Sequence, residues 1–168
     1  MLEVLVLAVF PGLVMLAGTS DLFTMTIPNK LCLALVAAFF IAVPFAGMPF
    51  AELGWHVAAA FGAFAVCFLL FAGGVMGGGD AKLTAAVMLW LGPAHALDFL
   101  LVSAILGGLL TLGILMMRTP ATAIAAARVP WAARLVAKET GIPYGIALSA
   151  AAIVVLPQTT WFQAAIGF

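Results

Sequence analysis

Two aspartates, Asp21 and Asp80, each lie at the end of a long apolar run of the sequence. A carboxylate close to membrane depth is costly, so an acidic residue placed there usually has a function. Two carboxylates that meet in a poorly solvated site cannot both ionise, and one of them keeps its proton. Such a pair can hydrolyse a peptide bond, because one Asp activates water as a base while the other donates a hydrogen bond to the scissile carbonyl. The pair could instead form a proton or cation path, which leaves a transporter as the alternative.

A run rich in glycine precedes Asp80. Five of the seven residues from Gly73 to Gly79 are glycine. Such a run is a poor helix former, leaves backbone N–H and C=O groups free and lets another backbone approach closely. Irregular backbone at membrane depth is tolerated only where it lines a cavity or is buried in protein. We therefore expect this run to pair with an extended peptide, with close helix packing by small residues as the alternative.

The segment that follows Asp21 predicts where the first helix ends. Pro28 favours an extended conformation at Ile27, and Asn29 suits a turn or the cap of the next helix. The first helix is therefore predicted to end just past Asp21. A short ordered loop then leads into the second span.

The elements that must position these residues are membrane-spanning helices. Of the 168 residues, 67% are hydrophobic and 7% are charged, whereas a soluble domain carries about 25% charged residues. A chain of this size cannot hide so much apolar surface from water, so we predict an all-α polytopic membrane protein with about six transmembrane helices. Residues 1–168 are expected to form a single membrane-embedded domain. The apolar runs are residues 4–23, 31–47, 54–74, 81–97, 99–117 and 143–160.

The positive charges predict how the spans are oriented. With six spans, every Lys and Arg falls in the three loops on one side of the membrane: Lys30, Lys82, Arg118, Arg128, Arg134 and Lys138. Loops rich in Lys and Arg are cytoplasmic, so both termini are predicted to lie outside. Asp21 and Asp80 then lie at the cytoplasmic end of the bundle and at similar depth.

Together, these segments resemble the type IV prepilin peptidases, which are membrane aspartic proteases of the GxGD type. In that family an Asp near the end of the first helix precedes an Ile-Pro-Asn, here Asp21 and residues 27–29. A second Asp ends a Gly-x-Gly-Asp that is followed by a Lys, here Asp80 and Lys82. Residues 142–148 are similar to the family's segment at the start of the last helix. This chain lacks the N-terminal extension with paired cysteine motifs and methyltransferase activity, so it is similar to the short, peptidase-only forms of Flp/tight-adherence pilus systems.

The resemblance implies an aspartic endopeptidase in which Asp21 and Asp80 are catalytic and activate a water molecule. It implies cleavage of prepilin or pseudopilin leader peptides at the cytoplasmic face of the bacterial inner membrane. Substrate-binding residues are expected in the two motifs, namely Gly77, Gly78, Gly79, Ile27, Pro28, Asn29 and Lys82. No cofactor and no metal are expected. The rival functions are a small proton-coupled transporter and a structural membrane subunit.

Charge bounds the other partners. The net charge is zero, so nucleic acid is not an expected partner. Membrane lipids with anionic head groups are expected to bind the basic side chains between the fifth and sixth spans, from Arg118 to Lys138. The sequence leaves open the substrate pilin, the cleavage position, the general base and the oligomeric state.

Overall fold

The computed structural model describes residues 1–137 and 140–167. These residues form helices, turns and loops and contain no strand, which confirms the all-α class. Lys138, one of the six positive charges that predict the orientation, lies outside the described residues.

The first three apolar runs form long helices. Helix α1 spans Leu2–Thr24, α2 spans Asn29–Ala46 and α3 spans Phe50–Ala72. The stretch Leu5–Val9 of α1 is π-helical just before Pro11, because the proline nitrogen has no hydrogen to donate to the preceding turn. Each of these helices is long and apolar enough to cross a membrane.

The fourth apolar run forms a helix that is shorter than the sequence predicts. Helix α4 spans Gly78–Leu91 and has only 14 residues, whereas a transmembrane helix needs about 20. It ends at Gly92, whose φ of 69° turns the chain into a 3₁₀ helix at Pro93–His95. Helix α5 follows over Ala96–Met117, and the segment from Pro93 to Met117 is again long enough to cross a membrane.

The last third of the chain is broken into shorter helices. Helix α6 spans Pro120–Ala126 and α7 spans Pro130–Val136. Helix α8 spans Tyr144–Val155, and α9 spans Thr160–Ile166 at an angle of 62° to it. The bend falls at Pro157 in the intervening 3₁₀ turn, because proline lacks the N–H that a continuous helix needs.

Four helical segments in the described part of the chain can therefore cross a membrane, or five if the bent pair is one span. This confirms a multi-pass, α-helical membrane protein. Of the six predicted spans, the fourth corresponds to α4, which is too short to cross a membrane on its own.

Helix α4 lies at the centre of the bundle. Nine of its 14 residues are buried, and it packs against α2, α3 and α8. Helix α8 also packs against α1 and α5. Most of α4 is therefore surrounded by protein, which is where a helix too short to span a membrane is tolerated. This short central helix carries Asp80 in its first turn.

A buried aromatic cluster fixes the far end of α4. The rings of Trp90 and Trp161 lie 5.7 Å apart, and both contact the ring of Phe39. The indole N–H of Trp90 donates to the backbone carbonyl of Leu35 at 2.9 Å. His56 Nδ1 lies 2.8 Å from the backbone carbonyl of Leu89. These contacts join α2, α3 and α9 to α4 and leave its first turn, with Asp80, to face the opposite end of the bundle.

Candidate active site

Asp21 lies in the last turn of α1 and Asp80 in the first turn of α4. Both side chains line a cavity of about 250 Å³ and a second one of about 700 Å³. Met25 and Gly77 also line both cavities. The two carboxylates therefore lie at the junction of the two cavities, on helices that are far apart in the sequence.

The two carboxylates differ in their surroundings. Asp21 is buried, with 6% of its surface exposed, and its Oδ2 accepts a hydrogen bond of 2.7 Å from the backbone N–H of Gly145. Asp80 is half-buried and lies over Gly77, where a Cβ atom would come within 3.0 Å of its Oδ2. Within the described residues, neither carboxylate forms a salt bridge.

The loop between α1 and α2 is ordered by its local sequence, as the sequence predicts. Helix α1 ends at Thr24, and Met25 adopts a left-handed conformation with φ of 55° while its N–H donates to the carbonyl of Asp21 at 2.8 Å. Pro28 has an extended conformation and is the N-cap of α2. Asn29 is therefore the first helical residue, and the prediction that it lies in a turn or caps the helix was wrong. Pro28 itself lines neither of the two cavities.

Ile27 has a packing role as well as a place on the smaller cavity. Its side chain is buried between two glycines on other helices. A Cβ atom at Gly79 would lie 3.2 Å from Ile27 Cβ, and one at Gly145 would lie 2.8 Å from Ile27 Cδ1. The loop after α1 is thus fitted closely against the first turns of α4 and α8.

The glycine run is irregular over a shorter stretch than the sequence predicts. Gly78 and Gly79 belong to the first turn of α4, and only the residues from Gly73 to Gly77 are non-helical. An acidic residue in a first turn stabilises the positive end of the helix, and Asp80 occupies that position. Tertiary packing of the buried α4 then outweighs the poor helix propensity of glycine. Gly78 also packs against the ring of Phe71, which a Cβ atom would approach to 3.2 Å.

Lys82 and Asn29 meet beside the smaller cavity, which both line. Lys82 Nζ donates to Asn29 Oδ1 at 3.0 Å. The structure thus brings both of these residues, with Ile27 and the three glycines from Gly77 to Gly79, to the cavity that contains the two carboxylates.

The larger cavity is also lined by residues that the sequence did not place at the site. Tyr144 and Arg118 line it together with Thr111. The guanidinium of Arg118 donates to the backbone carbonyls of Thr140 and Gly141 at 2.9 and 3.3 Å. Binding of lipid head groups by Arg118 stays a prediction. One signal in the sequence did point to this side of the larger cavity, namely the similarity of residues 142–148 to the family's segment at the start of the last helix.

The arrangement can perform carboxylate acid–base chemistry. One ionised and one protonated carboxyl group beside a cavity that admits water can take a proton from water and donate one to a carbonyl oxygen. No group of three or more His, Cys, Asp or Glu side chains among residues 1–137 and 140–167 is placed to hold a metal ion.

The fold and this site describe a multi-pass helical membrane protein with an acidic pair at the junction of two cavities. The model of the type IV leader peptidase family matches residues 8–112, which is more than half of the chain and includes Asp21 and Asp80. The chain therefore belongs to the type IV leader peptidase family, and the resemblance found in the sequence is confirmed. Comparisons with curated proteins and with solved structures gave no match.

Proposed function

We propose that the chain is an aspartic endopeptidase that removes prepilin or pseudopilin leader peptides with a water molecule held between Asp21 and Asp80. The proposal rests on one observation above all, namely that both carboxylates line the same two cavities in a member of a leader peptidase family. In the reaction, the ionised carboxylate takes a proton from water as the oxygen attacks the scissile carbonyl carbon. The protonated carboxyl group donates its hydrogen bond to the carbonyl oxygen. The tetrahedral intermediate then collapses as the carboxyl group that took the proton from water passes it to the leaving nitrogen, and no enzyme group forms a covalent bond.

Burial of the acidic pair supports this mechanism. Asp21 is almost completely buried, and both residues lie within a bundle of apolar helices. Electrostatic interactions are stronger in such a poorly solvated site than in water. A hydrogen bond to the developing oxyanion therefore stabilises the transition state more than the same bond would at the protein surface.

The glycine loop offers backbone groups to an extended substrate. Met76 and Gly77 line the larger cavity, and within the described residues their backbone N–H groups donate no hydrogen bond. An extended peptide could accept hydrogen bonds from these groups as it passes the carboxylates. We propose that Gly77, Gly78 and Gly79 let the peptide approach, and that Asn29 and Lys82 contact it in the smaller cavity. Ile27 and Pro28 would act by fixing the shape of that cavity.

The distribution of charge supports a site at the cytoplasmic face of the inner membrane. Arg118 lines the larger cavity and Lys82 lines the smaller one. Arg134 Nη1 lies 3.5 Å from the backbone carbonyl of Phe23, close to Asp21. Positive charge at the carboxylate end of the bundle is the pattern of a cytoplasmic end. We therefore propose that both termini lie outside, that residues 1–168 form one domain, and that the substrate belongs to a Flp-type pilus system.

Co-expression with a pilin precursor from the same organism tests the proposal. Wild type, Asp21→Asn and Asp80→Asn are compared for shortening of the precursor on a gel. Asp98→Asn is the matched control, because Asp98 lies in the first turn of α5, beyond the far end of α4. We expect shortening by wild type and by the control, and none by the other two variants at equal amounts in the membrane fraction. Shortening that persists in Asp21→Asn or Asp80→Asn would refute the assignment of the catalytic pair. A gradient-dependent proton flux without shortening would favour the transporter.

A further inference from the structure

One backbone group contacts the acidic pair directly, and it belongs to a part of the chain outside the matched residues 8–112. The N–H of Gly145 donates to Asp21 Oδ2 at 2.7 Å in a buried hydrogen bond. Gly145 is the second residue of α8, and the first N–H groups of a helix have no partner within the helix. The donor is therefore available to Asp21 without loss of a helical hydrogen bond. Within the described residues, Oδ1 of Asp21 accepts no hydrogen bond.

The contact requires glycine at position 145. A Cβ atom there would lie 2.8 Å from Asp21 Oδ2 and 2.8 Å from Ile27 Cδ1. Both distances are well below an ordinary van der Waals contact, so either α8 or the carboxylate would have to move. Helix α8 can approach Asp21 this closely only because the residue has no side chain.

The neighbouring residue, Tyr144, anchors the start of α8 to α5. Its ring lies against Gly107, where the absence of a side chain leaves a recess, and a Cβ atom at Gly107 would overlap the ring. The Tyr144 hydroxyl donates to the backbone carbonyl of Ser103 at 3.1 Å. Gly107 and Ser103 are one turn apart on α5, so the ring and the hydroxyl bind two consecutive turns of one helix. The position of the Gly145 N–H is thereby tied to α5.

We propose that Tyr144 and Gly145 form a positioning element for Asp21, in which Tyr144 fixes the start of α8 on α5 and the Gly145 N–H holds Asp21 Oδ2. This inference rests on the proposed function for its effect on cleavage, but not for the hydrogen bond itself. Tyr144 and Gly145 are positioning residues, because they act on the scissile bond through Asp21.

Two glycines of α5 provide a matched pair of variants. Gly107→Ala places a methyl group against the Tyr144 ring, whereas Gly108→Ala places one where no atom lies within 4 Å. We expect Gly107→Ala to lower kcat for a purified precursor by about a hundredfold with little change in KM, since a displacement on the order of 1 Å at a reacting group has an effect of that size. Gly108→Ala should keep the wild-type kcat. A purely structural role of Gly107 would instead reduce the amount of folded protein and leave kcat per folded molecule unchanged.

A rescue experiment tests whether Gly107 acts through Tyr144. In a Tyr144→Ala background the ring is absent, so adding Gly107→Ala should lower kcat by less than about threefold. Such non-additivity is expected only for residues that interact. Equal losses from Gly107→Ala in both backgrounds would overturn the proposal.

Amide hydrogen exchange at Gly145 provides a readout that does not depend on cleavage. The exchange of this N–H should be slow in wild type and in Gly108→Ala, and faster by at least about tenfold in Asp21→Ala and in Gly107→Ala. Unchanged exchange in Asp21→Ala, or the same exchange in the two α5 variants, would overturn the proposal. If exchange responds as expected but wild type cleaves no precursor, the hydrogen-bonded element stands and the proposed function fails.

Discussion

Lys82 on α4 donates a hydrogen bond of 3.0 Å to Asn29, the first residue of α2. The two residues are 53 positions apart in the sequence, and both line the smaller cavity beside Asp21 and Asp80. The contact joins the helix that carries Asp80 to the start of α2, directly after the loop that follows Asp21. It therefore defines one wall of the candidate site without involving either carboxylate.

Loss of this contact should weaken substrate binding more than it slows the chemical step. We expect Lys82→Met to raise KM for the precursor by about three- to tenfold, the effect of losing one hydrogen bond, with a smaller change in kcat. Lys30→Met is the matched control, because it removes the same charge from the first turn of α2, at a residue that lines neither cavity. Steady-state kinetics on purified protein provide the measurement, and an equal rise in KM for both variants would attribute the effect to net charge.

The space over Gly77 should control the position of Asp80. In Gly77→Ala the new Cβ would lie 3.0 Å from Asp80 Oδ2, so the carboxylate must shift by a few tenths of an ångström. We expect kcat to fall about tenfold. Gly73→Ala, in the same loop but 3.4 Å from its nearest neighbour, should retain kcat within about twofold. A Gly77→Ala enzyme with wild-type kcat would contradict a role for this glycine at the site.

Packing of α1 against α8 should depend on Gly18. A Cβ atom at Gly18 would lie 2.9 Å from Ser149 Oγ and 3.0 Å from Ser149 Cβ, and a change of side-chain rotamer cannot move Ser149 Cβ away. We expect Gly18→Ala to lower the free energy of unfolding by about 1–3 kcal/mol through overpacking. Gly12→Ala lies on the same helix with nothing within 4 Å and should be neutral or slightly stabilising. Thermal unfolding in detergent compares the two, and similar Tm values would show that α1 and α8 pack less tightly than described.

The proposed orientation can be tested by labelling single cysteines. Phe50, at the start of α3, is 91% exposed and should lie outside, whereas Arg128 should lie in the cytoplasm. In a background with Cys32→Ala and Cys67→Ala, a membrane-impermeant maleimide should label Phe50→Cys in intact spheroplasts. Arg128→Cys should react only after permeabilisation. The opposite labelling pattern would invert the topology and place the acidic pair at the outer face.

The membrane class and the position of both aspartates could be predicted from local sequence. Long apolar runs with few charges determine that the chain forms membrane helices. Alternation of those runs across the bilayer places Asp21 and Asp80 at one end of the bundle. Pro28 acts on the conformation of its own neighbours, so the end of α1 and the start of α2 were also predictable.

Tertiary structure decided how the helices face one another. Helices that are apolar all round have no polar stripe to indicate the packed face, so the central position of α4 could not be inferred. Its start at Gly78 depends on burial, which outweighs the low helix propensity of glycine. The donor to Asp21 is a backbone N–H at Gly145, 124 positions away. Every residue except proline has such an N–H, so no residue type marks it in the sequence, and only the packing of α8 against α1 and α5 brings it to Asp21.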